Sequence, residues 1–518
     1  MVPSIFNDVI GPVMRGPSSS HCAAALRIGR LARDLMDGRL QQVVVEFDSH
    51  GSLATTHESQ GSDMGLFAGL MGWDATDARL PHSAQALAEA GVKIDMRIVD
   101  LDAPHPNTYR LTLTHSQEQH TLTALSTGGG MIEIVDLDDF RLSLAGDYWE
   151  TLIYTQTDGP ALQRRLTDNV AADAVLLHPT EHAWLIQVKA QEFVGDALVK
   201  LLKEQFDIRA VRRLRPVLPI LSRADLDVPF TTCEQMLGDA PHRDLPLWQL
   251  AGAYESARGT LSEHEVLQRM VEIVRILRRS VTEGLDGTQY EDRILGCQSR
   301  HFARSMEGKA LLDGGLLNRM VLYVTALMEV KSAMGVIVAA PTAGACGALP
   351  GACLAAGDAL GLSDEEVAKA LLAGGLIGIF IVTGSTFAAE VAGCQAECGA
   401  ASGMTAAALA TLGGGTAEQA VAAASMALQN SLGMVCDPVA NRVEVPCLGK
   451  NIMAAGNALA CANMALAGYD PVIPLDEVIG AMDRVGRSLP RELRCTALGG
   501  LSVTPTAKAL ETKLKQRS

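Results

Sequence analysis

Three cysteines in the last third of the chain sit in short words rich in small or rigid residues: Ala392-Gly393-Cys394-Gln395, Val435-Cys436-Asp437-Pro438 and Val445-Pro446-Cys447. Three thiolates are what a cubane iron-sulfur cluster needs if one iron is to stay open to a substrate oxygen, and that opening makes the cluster a Lewis acid rather than an electron carrier. The competing reading is three ordinary buried thiols, because free cysteine behaves as a small hydrophobe. Their separations are far wider than the C-x2-C pairs of zinc ribbons or electron-carrying ferredoxins, so a folded domain has to bring them together. Asp437-Pro438 and Pro446 stiffen the backbone beside two of them, as a rigid ligand loop requires.

A second group lies near the start, where Arg15-Gly16-Pro17-Ser18-Ser19-Ser20-His21 places a rigid turn ahead of three hydroxyls and an imidazole. Hydroxyls and backbone N–H groups at a helix start hold a carboxylate, and an imidazole accepts a proton near neutral pH. A plain helix cap uses the same residue types.

These words, with Asp8 to Met14, His105-Pro106-Asn107-Thr108, Ala340 to Gly347, Ala392 to Gly399, Gly433 to Cys447 and Thr496 to Thr506, resemble the oxygen-sensitive iron-sulfur L-serine dehydratases of bacteria. The resemblance covers nearly the whole chain and is weakest between about 150 and 235. It implies a [4Fe-4S] cluster held by Cys394, Cys436 and Cys447, with one iron free for the substrate hydroxyl. It also implies substrate contacts from Ser18, Ser19 and Ser20 and from the loop residues Thr342, Ala343 and Gly344. His21 becomes the candidate general base or substrate-orienting group, and Asp63 a residue that either orients the site or caps a helix. The implied activity is dehydration and deamination of L-serine, or of a related β-hydroxy amino acid, to a 2-oxo acid and ammonia. Such chemistry needs a way to make hydroxide leave and a base for the Cα proton. A desulfidase with another leaving group and a non-catalytic amino-acid sensor are the rival readings.

This chain departs from the family pattern at several points. Gln60 stands in Ser59-Gln60-Gly61-Ser62-Asp63 where serine dehydratases commonly carry a histidine. An amide cannot act as a base, so either His21 or His57 carries the proton, or the substrate has diverged. Asn441 and Arg442 replace a glycine and an apolar residue, and Arg442 either tunes the cluster, meets a larger acidic substrate or forms a helix-end ion pair. Cys346 and Cys398 stand where the family usually has other residues and are read as packing. Some relatives end in a cysteine that covers the open iron; this chain ends Lys515-Gln516-Arg517-Ser518, and Cys495 is too early to be that tail. No self-inhibiting ligand is expected.

The elements that must position these groups follow from the hydropathy pattern. At 518 residues the chain exceeds one ordinary domain. With 48% hydrophobic but only 4% aromatic residues, its core is built from small aliphatic side chains. A net charge of -16 argues against a nucleic-acid or anionic-lipid surface. Eleven cysteines without framework spacing, behind a start that lacks a basic stretch and apolar run, point to the cytoplasm. The apolar stretch from Ala370 to Val382 has the length of a core helix rather than a membrane span.

The expected fold is multidomain α+β. Residues 1–150 form an α+β domain, with strands over Gln42 to Phe47 and Lys93 to Val99, a helix over Ala23 to Met36, and a turn at Ser126 to Gly130. Residues 151–220 read βαββαβ, the plan of a ferredoxin-like module, which in the family resembles an amino-acid-binding ACT module. A linker spans 221–235, overlapping a proline-bearing stretch from Pro216 to Cys233. Residues 236–518 form an all-helical domain, with capping boxes at Ser262 to Glu265 and Ser363 to Glu366. Helices rich in Ala and Gly bury faces against one another, and a homodimer is expected.

Overall fold

Alternation along Gln42–Asp48 buries Val43, Val45 and Phe47 on one face, the two-residue period of a strand covered on one side. In the computed structural model, which describes residues 2–116, 118–238, 245–291 and 293–516, this strand lies second in a six-stranded sheet. The order is Lys93–Val99, Gln42–Asp48, Thr108–His115, Glu118–Gly128, Met131–Leu137, Phe140–Leu144. The first pair is parallel and the others are antiparallel. The strand runs on to Gly128, so the turn is tighter than Ser126 to Gly130 and rests on Gly129 and Gly130, both at positive φ.

Helices Ala24–Leu35 and Ser62–Leu70 cover this sheet, packing Ile28, Leu31, Leu35 and Leu66 over Val43, Leu111 and Leu113. Glycine sets how closely they approach. A Cβ on Gly65 would lie 2.0 Å from the Cys22 carbonyl oxygen, and one on Gly69 would lie 2.1 Å from that of Leu26. Gly65→Ala should therefore push the second helix off the Ser19–Ala23 turn. The expected cost is about 1–3 kcal/mol of stability, together with a loss of activity larger than that cost explains, and thermal unfolding compared with turnover checks it.

A four-stranded antiparallel sheet follows, built in the order strand Trp149–Thr155, helix Gly159–Asn169, strands Ala172–Pro179 and Trp184–Ala190, helix Asp196–Gln205 and strand Ile208–Leu214. In space the strands lie fourth, first, third, second. Leu162, Leu166 and Leu202 pack on Ile153, Ile186 and Val188. The stretch after it is strapped down, since Asn7 Nδ2 donates to the Ile220 carbonyl (2.7 Å) and accepts the Ile220 N–H at Oδ1 (3.0 Å).

The rest of the described chain is mainly helical, with a short pairing of Val13–Met14 with Ile337–Val338 and a bridge between Cys436 and Arg494. Both capping boxes form, at Ser262 with Glu265 and at Ser363 with Glu366. Helix Asp364–Gly384 is buried along most of its length and packs on Cys398–Leu412, whose small side chains permit close contact. Two segments, Ala343–Leu360 and Asp364–Gly384, are long and apolar enough to cross a membrane by length and composition, and most of each is buried inside the protein.

Ile5, Phe6, Val9 and Ile10 join the helical core rather than the sheet. The N-terminal arm thus threads through the helical region before entering helix Ala24–Leu35. Arg15 to His21 lie on that crossing, which is how a motif from the start of the chain meets cysteines from its end.

Candidate active site

Ser19–Ala23 form one wide π turn leading into helix Ala24–Leu35, with the Ala24 N–H bonded to the Ser19 carbonyl. Such turns are rare and recur at functional sites. This one also shortens the expected helix by a residue at its start. His21 is fully buried. Its Nδ1 lies 3.1 Å from both Ser18 Oγ and Ser20 Oγ and 3.5 Å from Glu390 Oε1, and its Nε2 lies 2.8 Å from Thr56 Oγ1. The Thr56 hydroxyl donates to the Ser52 carbonyl at 2.7 Å, so it accepts from a His21 Nε2–H. That assignment from hydrogen-bond partners leaves Nδ1 as the nitrogen able to take a proton. Burial pulls the His21 pKa down, opposed by the Glu390 charge.

Ser20 Oγ donates to Glu390 Oε1 at 2.8 Å. Ser19 Oγ instead accepts the Ala343 N–H at 3.1 Å, joining the serine motif to the Thr342–Gly344 loop. Thr342 Oγ1 donates to Glu397 Oε2. Burial and the neighbouring Cys394 raise the Glu397 carboxyl to about 8. The loop is braced by Asn451, which donates to the Gly344 and Cys447 carbonyls at 2.8 Å each and accepts the Gly347 and Ala348 N–H groups.

Cys394, Cys436 and Cys447 are all buried and carry free thiols. Each lies within electrostatic reach of another of the set, Cys436 and Cys447 both sensing Cys394. Two more thiols join them. The neighbouring Cys398 thiol, together with Lys450, draws the Cys394 thiol down to about 7 against burial. The neighbouring Cys495 thiol, together with burial, holds the Cys436 pKa up. Cys398 is packed in one buried cluster with Cys394, Cys436 and Cys495, in keeping with its reading as a packing residue. Cys495 reaches Cys436 because the two segments pair through their backbones, Cys436 N–H to the Leu493 carbonyl and Cys495 N–H to the Cys436 carbonyl. Cys346 stays apart, packed against Met328. Arg517 and Ser518 lie outside the described residues.

Among the described residues no three His, Cys, Asp or Glu side chains are grouped to hold a single metal ion. A cubane places its ligands on different irons and needs thiolates spread around it. Converging thiols with Lys450 beside them, and Lys331 within reach of the Cys447 charge, have the donor chemistry and counter-charge for that group. Lys450 is itself anchored on the Val435 carbonyl (2.6 Å) and Asp437 (2.9 Å).

The sequence model of the serine dehydratase alpha chain matches residues 242–502, and that of the beta chain matches residues 10–136. The chain belongs to the serine dehydratase family. It carries alpha-type and beta-type regions in one polypeptide. The probable L-serine dehydratase alpha chain of Bacillus subtilis is 39% identical over 253 residues, covering 49% of this chain and 84% of that protein. The beta chain of the same organism is 41% identical over 150 residues, 29% of this chain and 67% of that one. The L-serine dehydratase of Streptomyces coelicolor is 29% identical over 497 residues, 94% of this chain and 96% of the relative.

Within this family member, Asp63 does not touch His21. It stands in the first turn of Ser62–Leu70, and its carboxylate pairs with His57 Nδ1 at 2.8 Å. Gln60 points its amide at Cys495 Sγ, 3.5 Å away. Burial alone would lower the His57 pKa, but the Asp63 hydrogen bond and charge outweigh it and raise it. A raised folded pKa contributes stability that is full below the unfolded value near 6.5 and is lost as pH rises through the folded one. Asp63→Asn should accordingly cost about 1 kcal/mol near pH 5.5 and clearly less at pH 8.5, read as the difference in thermal unfolding at the two pH values.

Glu390, Asn451 and Glu397 escaped the sequence reading, and Cys495 was weighed there only as a terminal ligand. Glu397 had a visible signal, lying inside the Cys394 to Cys398 word. Glu390 and Asn451 lie four residues from Cys394 and Cys447, but their bonds to Ser20 and to the Gly344 loop are tertiary contacts.

Proposed function

We propose that this chain is a [4Fe-4S]-dependent lyase that converts L-serine, or a closely related β-hydroxy amino acid, to a 2-oxo acid and ammonia. Cys394, Cys436 and Cys447 would hold the cluster, and when bound it supplies Lewis acidity toward the β-hydroxyl. The protein's own contribution is to hold and deprotonate the substrate. The Ser18 and Ser19 hydroxyls and the Thr342–Gly344 loop grip the carboxylate, Ser20 holds Glu390 in place, and His21 Nδ1 removes the Cα proton while Glu390 stabilises the imidazolium that forms. Loss of that proton and of hydroxide leaves an enamine. It tautomerises to an imine, and hydrolysis returns the lost water and releases ammonia with the oxo acid. Burial of His21 and the thiols keeps bulk water from competing during the elimination. A cleft of about 470 Å³, lined by Thr55, His57, Asn441, Arg442 and Thr496, opens beside the site and serves as the entry route.

The observation that carries this reading is one continuous network: the serine–histidine motif bonds to Glu390, four residues before Cys394, and to Ala343 of the substrate loop. Relatives that match the chain nearly end to end carry the name L-serine dehydratase. An anaerobic survey of β-substituted amino acids, scored by keto-acid formation, tests it. Serine should react, and protein loaded with about four irons that acts on no hydroxy amino acid would refute it.

The contact of Gln60 with Cys495 favours one variation, a different β-substituent as leaving group, and sulfide measured beside ammonia separates the two. The fourth-first-third-second strand order of the middle region supports a ferredoxin-like module of the ACT type.

A further inference from the structure

Two side chains near the serine–histidine motif hold buried polar atoms without a hydrogen-bond partner: Glu390 at Oε2, and Asn107 at both Oδ1 and Nδ2. Glu390 is 5% exposed and Asn107 is 0% exposed. Buried polar groups in folded proteins are nearly always paired, and leaving them unpaired is costly. The exceptions mark places where something else supplies the partner.

A chain of hydrogen bonds links the Asn107 backbone to Glu390. The Ser126 N–H donates to the Asn107 carbonyl at 3.0 Å, and Ser126 Oγ donates to the Ser20 carbonyl at 2.6 Å. Ser20 Oγ then donates to the other oxygen of Glu390. His105, two residues before Asn107, feels the Glu390 charge. Among the described residues no Lys or Arg pairs with Glu390; its ionic contact is His21. A free carboxylate oxygen accepts hydrogen bonds only, so its missing partner is a donor, and a cationic one suits it best.

We propose that Glu390 Oε2 receives the α-ammonium group of the substrate, with the Asn107 amide completing the polar end of the site by accepting from that ammonium and donating to the carboxylate. The proposal rests on the lyase reading above and deepens it. The site selects α-amino acids over 2-hydroxy acids of the same shape, which present a neutral hydroxyl where the ammonium would lie.

Glu390→Gln retains an acceptor for Ser20 and removes the charge. L-alanine and L-lactate lack a β-oxygen to eliminate and differ only in ammonium against hydroxyl. Their binding is measured calorimetrically on the anaerobically reconstituted full-length protein, alongside iron content and serine turnover. In the variant the Kd for alanine should rise about 100-fold, with the Kd for lactate changed less than about threefold and iron content unchanged. Glu390→Asp, which keeps the charge, should retain a preference for alanine, and this second variant decides the matter if Glu390→Gln fails to fold.

Equal weakening of both ligands, or unchanged alanine binding with lost serine turnover, would overturn the assignment; the latter would make Glu390 a base. Those outcomes leave the lyase reading standing. Wild-type protein that binds lactate as well as alanine would likewise sink the inference alone, whereas failure to act on any hydroxy amino acid sinks the reading beneath it.

Discussion

Cys394→Ser is expected to give a folded protein that binds little iron and has lost turnover by at least about 10³-fold, the rate equivalent of several kcal/mol of Lewis-acid stabilisation. Serine keeps the shape of the side chain, so the helices around it should repack little, and the loss isolates the ligand role. Cys346→Ser provides the contrast. That thiol is fully buried against Met328 in the helical core, away from the converging set, so iron content should be retained and activity should stay within about threefold, with some loss of stability from placing a hydroxyl there. Cys398→Ser should fall between them, because it alters a thiol packed in the same buried cluster as Cys394 and held by Asn451 at 3.6 Å. Iron analysis, visible absorption and keto-acid assays on anaerobically prepared variants read all three. Full iron retention in Cys394→Ser would remove this cysteine from the ligand set.

The second large effect concerns His21. His21→Ala should lower kcat by about 10²–10⁴, the usual contribution of a positioned general base, with iron content intact. The pH profile makes the test specific. Burial holds the folded His21 pKa below its ordinary value of 6.5, so the neutral, proton-accepting form dominates at neutral pH. Wild-type kcat/KM should then be level near pH 7 and fall only as pH drops through that lowered value. The variant should lose this acid limb along with the rate. His57→Gln should cost less than about tenfold, since His57 is engaged with Asp63 and partly exposed. A larger loss from His57 than from His21 would exchange their roles.

How legible all this is from residues alone depends on range. Strand alternation at Gln42–Asp48 and Lys93–Val99 and both capping boxes are local signals, and the structure follows them. The three cysteine words announce themselves through flanking glycine and proline. By contrast, nothing local joins Ser20 to Glu390 across 370 positions, because that contact exists only once the N-terminal arm threads the helical region. Cys495 likewise reaches Cys436 through a backbone pairing between separate loops. Asp63 illustrates a third case. It was expected to orient the site or cap a helix; the helix is instead entered through Gly61 with no side-chain cap, and Asp63 pairs with His57 across the turn at Gly61, which takes φ +87°.

Mössbauer spectroscopy of the 57Fe-reconstituted protein, prepared without air and recorded with and without L-serine, bears most directly on the central assignment. A cubane cluster is expected in which one iron site differs from the other three and shifts when serine is added. Absence of a cluster would contradict it, and so would four equivalent thiolate-bound irons indifferent to serine, as would result if Cys495 closed the remaining corner.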